Sequence, residues 1–157
     1  MGLTIGFWKN WASCSSSNGG QKPTLDRTLQ LGDLILGSLV LHDGNSNVNV
    51  ASDCQAVVNL LNKMTVNGGK KMASDPIFNM VAQLVAADLN VLAGAGQSVN
   101  SMKAIQCANA LLTAINFNGN TYNKPLSAAQ TDQANCLATQ LDRYNNNLSV
   151  GTCAGCP

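Results

Sequence analysis

The sequence predicts an all-α protein, a disulfide-stapled bundle of about four or five helices with an irregular N-terminal arm. Three observations favour this class: apolar residues recur every three and four positions, helix-start signals precede those stretches, and six cysteines are spread over only 157 residues. We expect one extracellular helical domain over 1–157, with an arm and wrap at 1–41, the bundle at 52–148 and a cysteine-containing tail at 149–157.

Four helices of the bundle are predicted from their capping patterns. SDCQ at 52–55 and SAAQ at 127–130 both have the form of a capping box. Between them, SDP at 74–76 places a proline in a first helical turn, where its missing amide proton is harmless. Asn100 or Ser101 is expected to cap the remaining helix.

The arm is harder to assign. A short helix is expected to begin at Pro23, after a stretch of small residues at 12–20 that we predict to be a loop. The run 32–41 is apolar without helical periodicity, and the sequence leaves it open between a strand and a buried helix.

Cysteine usage indicates an oxidising compartment and a secreted or cell-surface protein. An even number in a small domain favours three disulfides, because a structural zinc site needs paired ligands at short spacing twice and only one such pair is present. The pairing stays open among the fifteen possible arrangements. The six residues are Cys14, Cys54, Cys107, Cys136, Cys153 and Cys156. No signal peptide is visible, and Met1 is interpreted as the start of an expressed mature fragment.

The composition argues against ionic recognition. Charged residues are 11% of the chain, against about 25% in ordinary domains, and the formal net charge is +1. We therefore expect no nucleic-acid partner, since phosphate contacts need a basic patch. The longest apolar stretch, 34–41, is also shorter than the about 18 residues of a membrane span.

Both tryptophans and one phenylalanine fall in the string TIGFWKNW at 4–11. Trp8 and Trp11 share a face if the segment is helical. Together with Phe7 they are either a plug that closes one end of the bundle or a platform that stacks on sugar rings or a partner. We favour the plug, because a core poor in rings needs large side chains.

The loop after His42 resembles part of a calcium-binding loop. Asp43, Asn45 and Asn47 occupy alternate positions, as oxygen ligands do. The pattern then fails, because Val48 stands where the loop needs glycine and Cys54 where it needs a bidentate glutamate. An ordinary Asn-rich loop is favoured, with no cofactor expected and calcium as the alternative.

No catalytic residue is predicted. GTCAG at 151–155 matches a nucleophile elbow with cysteine in place of serine, but it lies at the chain end without the strand and helix that the elbow needs. CAGC at 153–156 has redox spacing, but cross-links that tie the tail to the bundle are favoured. The acids are dispersed on faces expected to be solvated: Asp75, Asp88, Asp132 and Asp142.

Three strings together resemble a recurring secreted bacterial domain of uncharacterised function. They are TIGFWKNW at 4–11, AQLVAADLN at 82–90, which is similar to a "QLLAAKLN" helix, and ANALL at 108–112. The resemblance covers nearly the whole chain and implies export and modularity, as part of larger extracellular or wall-associated chains. It implies no catalytic residue, and Asp88 stands where that domain often has lysine.

These observations favour a non-catalytic extracellular module of a secreted or cell-surface protein, structural or adhesive, with a glycan or a neighbouring surface protein as partner. One alternative is a secreted hydrolase that acts on an extracellular polymer, and His42 beside Asp43 or Asp53 would favour it. The other is a self-assembling filament or layer subunit.

Overall fold

The structure is a computed structural model that describes residues 2–11, 23–44 and 53–157. It is mostly helical, with one small sheet in the described part. The elements in order are a π-helical turn at Phe7–Trp11, α1 at Pro23–Leu29, β1 at Leu34–Leu36, β2 at Leu39–His42, α2 at Gln55–Leu61, α3 at Pro76–Leu92, α4 at Val99–Ala114 and α5 at Ala128–Asn145. In these residues no helix combines the length and apolar character that crossing a membrane requires.

The all-α prediction is wrong for residues 34–42, which form an antiparallel hairpin of β1 and β2. Leu36 pairs with Leu39 across a turn in which Gly37 adopts a φ of 61°, a conformation that glycine reaches without strain. Burial in β1 alternates, with Ile35 exposed between two buried leucines. In the sequence, the hairpin corresponds to a two-residue turn between two short apolar runs. Between residues 23 and 42 the arm is therefore regular rather than irregular.

The longest apolar helix, α3, is the centre of the fold, and α5 packs against it more extensively than any other element does. Asp75 caps α3, since its Oδ1 accepts from the main-chain N–H of Ile77 at 2.8 Å and of Phe78 at 3.2 Å. The helix is followed by Gly94 at a φ of 97°. The start of α3 at Asp75 and Pro76 agrees with the sequence prediction.

The other helix starts agree in part. Ser127 and Gln130 form both hydrogen bonds of the predicted capping box at α5. Helix α4 begins earlier than expected, because Ser98, rather than Asn100 or Ser101, has the extended backbone of a cap and accepts from the N–H of Ser101. Helix α2 begins after Cys54 without a side-chain cap, and the predicted cap at residue 52 lies outside the described residues.

Two disulfides tie the tail to the last two helices. Cys107 of α4 is bonded to Cys156, with Cα atoms 5.5 Å apart, and Cys136 of α5 is bonded to Cys153, with Cα atoms 5.9 Å apart. Cys54 is also disulfide-bonded, and none of the described cysteines is free. Cys14 lies outside the described residues. The predicted disulfides are confirmed for these two pairs, which cross-link α4 and α5 through a shared tail.

The buried residues form one apolar cluster that extends from Trp8 through α1, the hairpin and all of the long helices to Cys153. Burying a large apolar side chain stabilises a fold by about 1.5–3 kcal/mol. Three elements of the arm contribute fully buried side chains, namely Trp8, Leu25, Leu29, Leu34 and Leu36. The arm is thus part of the core, and this fixes the N-terminal segment beside the ends of α3 and α5.

Candidate binding site

Trp8 of the predicted aromatic site lies in the core of the protein. Trp8 is 0% exposed, and its Nε1–H donates to Oδ1 of Asn90 at 3.1 Å. Phe7 meets the Trp8 ring edge-on, with centroids 5.4 Å apart, and is half-buried. The side chain of Trp11 lies outside the described part. The Trp8 ring has no face open to a ligand, which is the geometry of a plug.

The predicted calcium ligands are only partly described. Asp43 is exposed and has an interaction within the structure, while Asn45 and Asn47 lie outside the described residues. In the ranges that the structure describes, no three histidine, cysteine or acidic side chains are grouped as metal ligands.

Sequence reasoning missed a pair of asparagines that hold the N-terminal segment. Asn90, in the last turn of α3, accepts from the Leu3 N–H with Oδ1 and donates to the Leu3 carbonyl with Nδ2, both at 2.8 Å. Asn147, just after α5, accepts from the Gly2 N–H at 2.7 Å and donates to the Gly2 carbonyl at 3.1 Å. We call Asn90 and Asn147 the amide clamp.

The amide clamp forms hydrogen bonds with the main-chain groups of Gly2 and Leu3. Successive residues of an extended chain direct their N–H and C=O groups to opposite sides, and each asparagine satisfies both groups of one residue. A side chain at Gly2 would not fit, because a Cβ atom there would lie 2.8 Å from the Tyr144 carbonyl oxygen. Gly2 and Leu3 are therefore held through their backbone groups.

Buried amides also support the clamp from below. Asn90 donates to Oδ1 of Asn145 at 2.9 Å, and Asn145 donates to the main-chain oxygen of Gln83 at 3.1 Å and to its Oε1 at 2.9 Å. Buried polar groups are tolerated when all are hydrogen-bonded. An asparagine within the apolar sequence of α3 is the one local signal of a buried polar group here, although its partners meet it only in the tertiary fold.

Next to the clamp lies an open cleft of about 820 Å³. One wall is residues 95–100, which comprise the end of the connection between α3 and α4 and the first two residues of α4. The other wall is residues 147–150, which follow α5. Gly2 and Tyr144 complete the lining, so the cleft borders the amide clamp at Gly2. None of the lining side chains is charged. We refer to this feature as the end cleft.

The two walls of the end cleft are tied together. The Tyr144 hydroxyl donates to the Gly96 carbonyl at 3.0 Å, and the Asn100 side chain donates to the Val150 carbonyl at 2.9 Å. The tail then continues to Cys153, which is bonded to α5. Asn147 adopts a φ of 60°, a left-handed conformation that asparagine tolerates better than most residues. The cleft is thus a preorganised part of the fold.

Asp88 on α3 departs from the solvated environment predicted for it. Burial raises its pKa from 3.8 to about 8. Part of the residue remains accessible, so water moderates the rise in the pKa of Asp88. The pKa of Tyr144 is raised as well, first by burial and then by the nearby Asp88 carboxylate. Asp88 therefore lies close to one residue of the end cleft.

His42, the single histidine, is paired with a carboxylate. Its Nδ1 lies 2.9 Å from Oδ2 of Asp53, and its Nε2 is buried without a hydrogen-bond partner in the described residues. The imidazole side chain is fully buried, while Asp53 is partly exposed. The arrangement orients the ring but places it away from solvent.

Comparison with family models, with curated proteins and with solved structures found no match. The resemblance to a secreted bacterial domain stays a prediction, and functional inference rests on the geometry of the site.

Proposed function

We propose that the protein is a non-catalytic binding module of a secreted or cell-surface protein, with an adhesive or structural role. The observation that carries this proposal is the end cleft, whose uncharged walls are tied by hydrogen bonds and anchored by a disulfide. A preformed concave site whose polar groups are held in fixed positions is a usual form of a binding site. Its uncharged lining favours a neutral partner, a glycan or a neighbouring surface protein.

The intramolecular disulfides support the extracellular part of the proposal. Both described pairs join a tail cysteine to a helix, and such cross-links persist in oxidising compartments rather than in the cytosol. Cys153 and Cys156 are bonded to helix cysteines and not to each other. This pairing supports a structural role for both sulfur atoms of the CAGC string.

A binding screen that also records turnover tests this proposal. The immobilised full-length chain is exposed to a glycan array and to peptide libraries, and soluble polysaccharides and peptides are assayed for cleavage. We expect saturable binding of a neutral ligand without cleavage. Cleavage of a polymer, combined with no stable binding, would overturn the proposal.

A secreted hydrolase is the second candidate, and the His42–Asp53 pair favours it. Hydrolases use a histidine oriented by a carboxylate to take a proton from a nucleophile. Here the unpartnered Nε2 is buried, so a substrate reaches it only after the surrounding chain moves. Turnover lost in His42→Gln but kept in Asp132→Asn, an exposed acid, would support this candidate.

A further inference from the structure

We propose that the end cleft binds an extended, uncharged polypeptide segment of another molecule. This inference rests on the binding function proposed above and names its ligand class. Three features of the described residues lead to it. The cleft is continuous with the amide clamp, which binds main-chain groups of the N-terminal segment. The rim of the cleft is apolar, and no charged side chain lines it.

The first feature is the clamped N-terminal segment. Gly2 and Leu3 lie on this surface, and the clamp satisfies both backbone groups of each residue. Gly2 and Asn147 are at the same time part of the cleft lining. The surface that hydrogen-bonds main chain therefore continues into the end cleft, where the Gln97 side chain supplies a further amide.

The second feature is an apolar rim. Val99 is 67% exposed and Leu148 is 53% exposed, and both line the end cleft. Met102, 45% exposed, lies about one helical turn beyond Val99 on α4. Amides beside exposed apolar side chains suit an extended peptide, whose backbone hydrogen-bonds while alternate side chains contact the rim.

The third feature is that the cleft lining has no charged side chain, so the cleft offers no ion pair to a ligand. A glycan is the competing neutral ligand, and sugar rings stack best on exposed aromatic faces. The single ring of the lining belongs to Tyr144, which is buried and held by its hydroxyl at Gly96. The peptide is therefore favoured.

Nuclear magnetic resonance with the ¹⁵N-labelled full-length chain tests the inference. The probes are an acetylated and amidated hexapeptide of alternating valine and serine, a hexapeptide of alternating lysine and glutamate, and chitotetraose. We expect the valine–serine peptide alone to shift the amide signals of Gln97, Val99 and Leu148 in a saturable titration.

A matched pair of variants places the binding. Val99→Glu adds a charge to the rim at the first position of α4, where an acid is compatible with the helix dipole. Leu31→Glu makes the same change at a residue that is 65% exposed and outside the cleft lining. Losing one apolar contact of about 1 kcal/mol weakens binding about fivefold. We expect that loss for Val99→Glu and none for Leu31→Glu.

The outcomes separate this inference from the proposed function. Shifts at the cleft caused by chitotetraose alone would overturn the peptide and leave a binding module with a glycan ligand. Shifts by all three probes, shifts outside the cleft, or equal weakening in the two variants would also overturn the inference. Failure of every probe to shift any signal at millimolar concentration would overturn it, whereas the function itself fails only if the wider screen yields cleavage without binding.

Discussion

Asp88 makes stability depend on pH in a direction opposite to that of most acids. In the unfolded chain the carboxyl group titrates near 3.8, whereas burial raises its folded pKa to about 8. Between these values the unfolded state releases a proton that the folded state retains. The contribution of Asp88 to stability therefore falls as pH rises from about 4 to about 8, and below that window it is zero.

The variant Asp88→Asn removes this dependence. At pH 8 we expect it to be more stable than the unaltered chain by about 1–3 kcal/mol, less than the full pKa difference because the side chain is partly accessible. At about pH 3 or below, the two proteins should agree within about 0.5 kcal/mol, since the Asp88 carboxyl is then almost fully protonated in the unfolded as well as in the folded chain. Urea unfolding at both pH values measures this, and an equal gain at both would refute the explanation.

The amide clamp depends on the single residue Asn90 for all its bonds to Leu3. Asn90→Ala leaves the Leu3 backbone groups, the Trp8 indole N–H and Asn145 without their partner. Each unsatisfied buried group is unfavourable by about 1–3 kcal/mol, so we expect a loss of about 3 kcal/mol or more.

Hydrogen exchange and urea unfolding measure this loss together. Residues 2–8 should lose protection in Asn90→Ala while α5 stays protected. The control is Asn135→Ala, an exposed asparagine of α5 whose side chain has no hydrogen bond in the described structure, and it should change stability by less than about 0.5 kcal/mol. Equal effects of the two substitutions would contradict a role for the clamp.

At the scale of elements, the two side-chain caps of α3 and α5 are not equivalent. Ser127 caps α5 at the surface, whereas Asp75 caps α3 and also accepts from the Tyr122 hydroxyl at 2.8 Å. Burial, and after it the Asp75 carboxylate, raise the pKa of Tyr122 above its usual range. Asp75 thus joins the start of α3 to the loop before α5.

Thermal or urea unfolding of three variants tests that difference. Ser127→Ala should destabilise the protein by about 1 kcal/mol, the usual value for a lost cap. Asp75→Ala should destabilise it by about 2–3 kcal/mol, because a charged-group hydrogen bond is lost as well. Tyr122→Phe should reproduce only the difference between them. A Tyr122→Phe effect near zero would show that the hydroxyl bond contributes nothing.

The long helices were predictable from sequence because their signals are local. Asp75 and Pro76 determine where α3 starts, and Ser127 with Gln130 does the same for α5. The hairpin was not predictable with the same rules, since a short apolar run fits a strand or a buried helix equally well. The clamp was missed for another reason: Asn90 and Asn147 meet Gly2 and Leu3 only through the tertiary fold.

At the scale of the whole molecule, the disulfides hold the end cleft in place. In the loop-closure description, a cross-link over 49 residues stabilises by about 4 kcal/mol and one over 17 residues by about 3 kcal/mol. Replacing Cys136 and Cys153 together by serine should therefore destabilise the protein by about 3 kcal/mol.

The same replacement also frees one cleft wall from α5, because residues 147–150 lead directly to Cys153. We expect weaker binding of the valine–serine peptide in this double variant, measured by the same titration. Replacement of Cys107 and Cys156, which leaves Cys153 bonded to α5, is the comparison. Equal binding in the two double variants would contradict a role for the Cys136–Cys153 bond in holding the wall.

We propose that the sulfur atoms serve as structural cross-links and that the protein functions outside the cytosol. Mass-spectrometric disulfide mapping tests both parts of this proposal. The protein is recovered from the exterior of the cells that make it, and it is alkylated before digestion without reductant. We predict Cys107 linked to Cys156 and Cys136 linked to Cys153, with no alkylated cysteine. Alkylated thiols at those positions, or a Cys153–Cys156 pair, would contradict the claim.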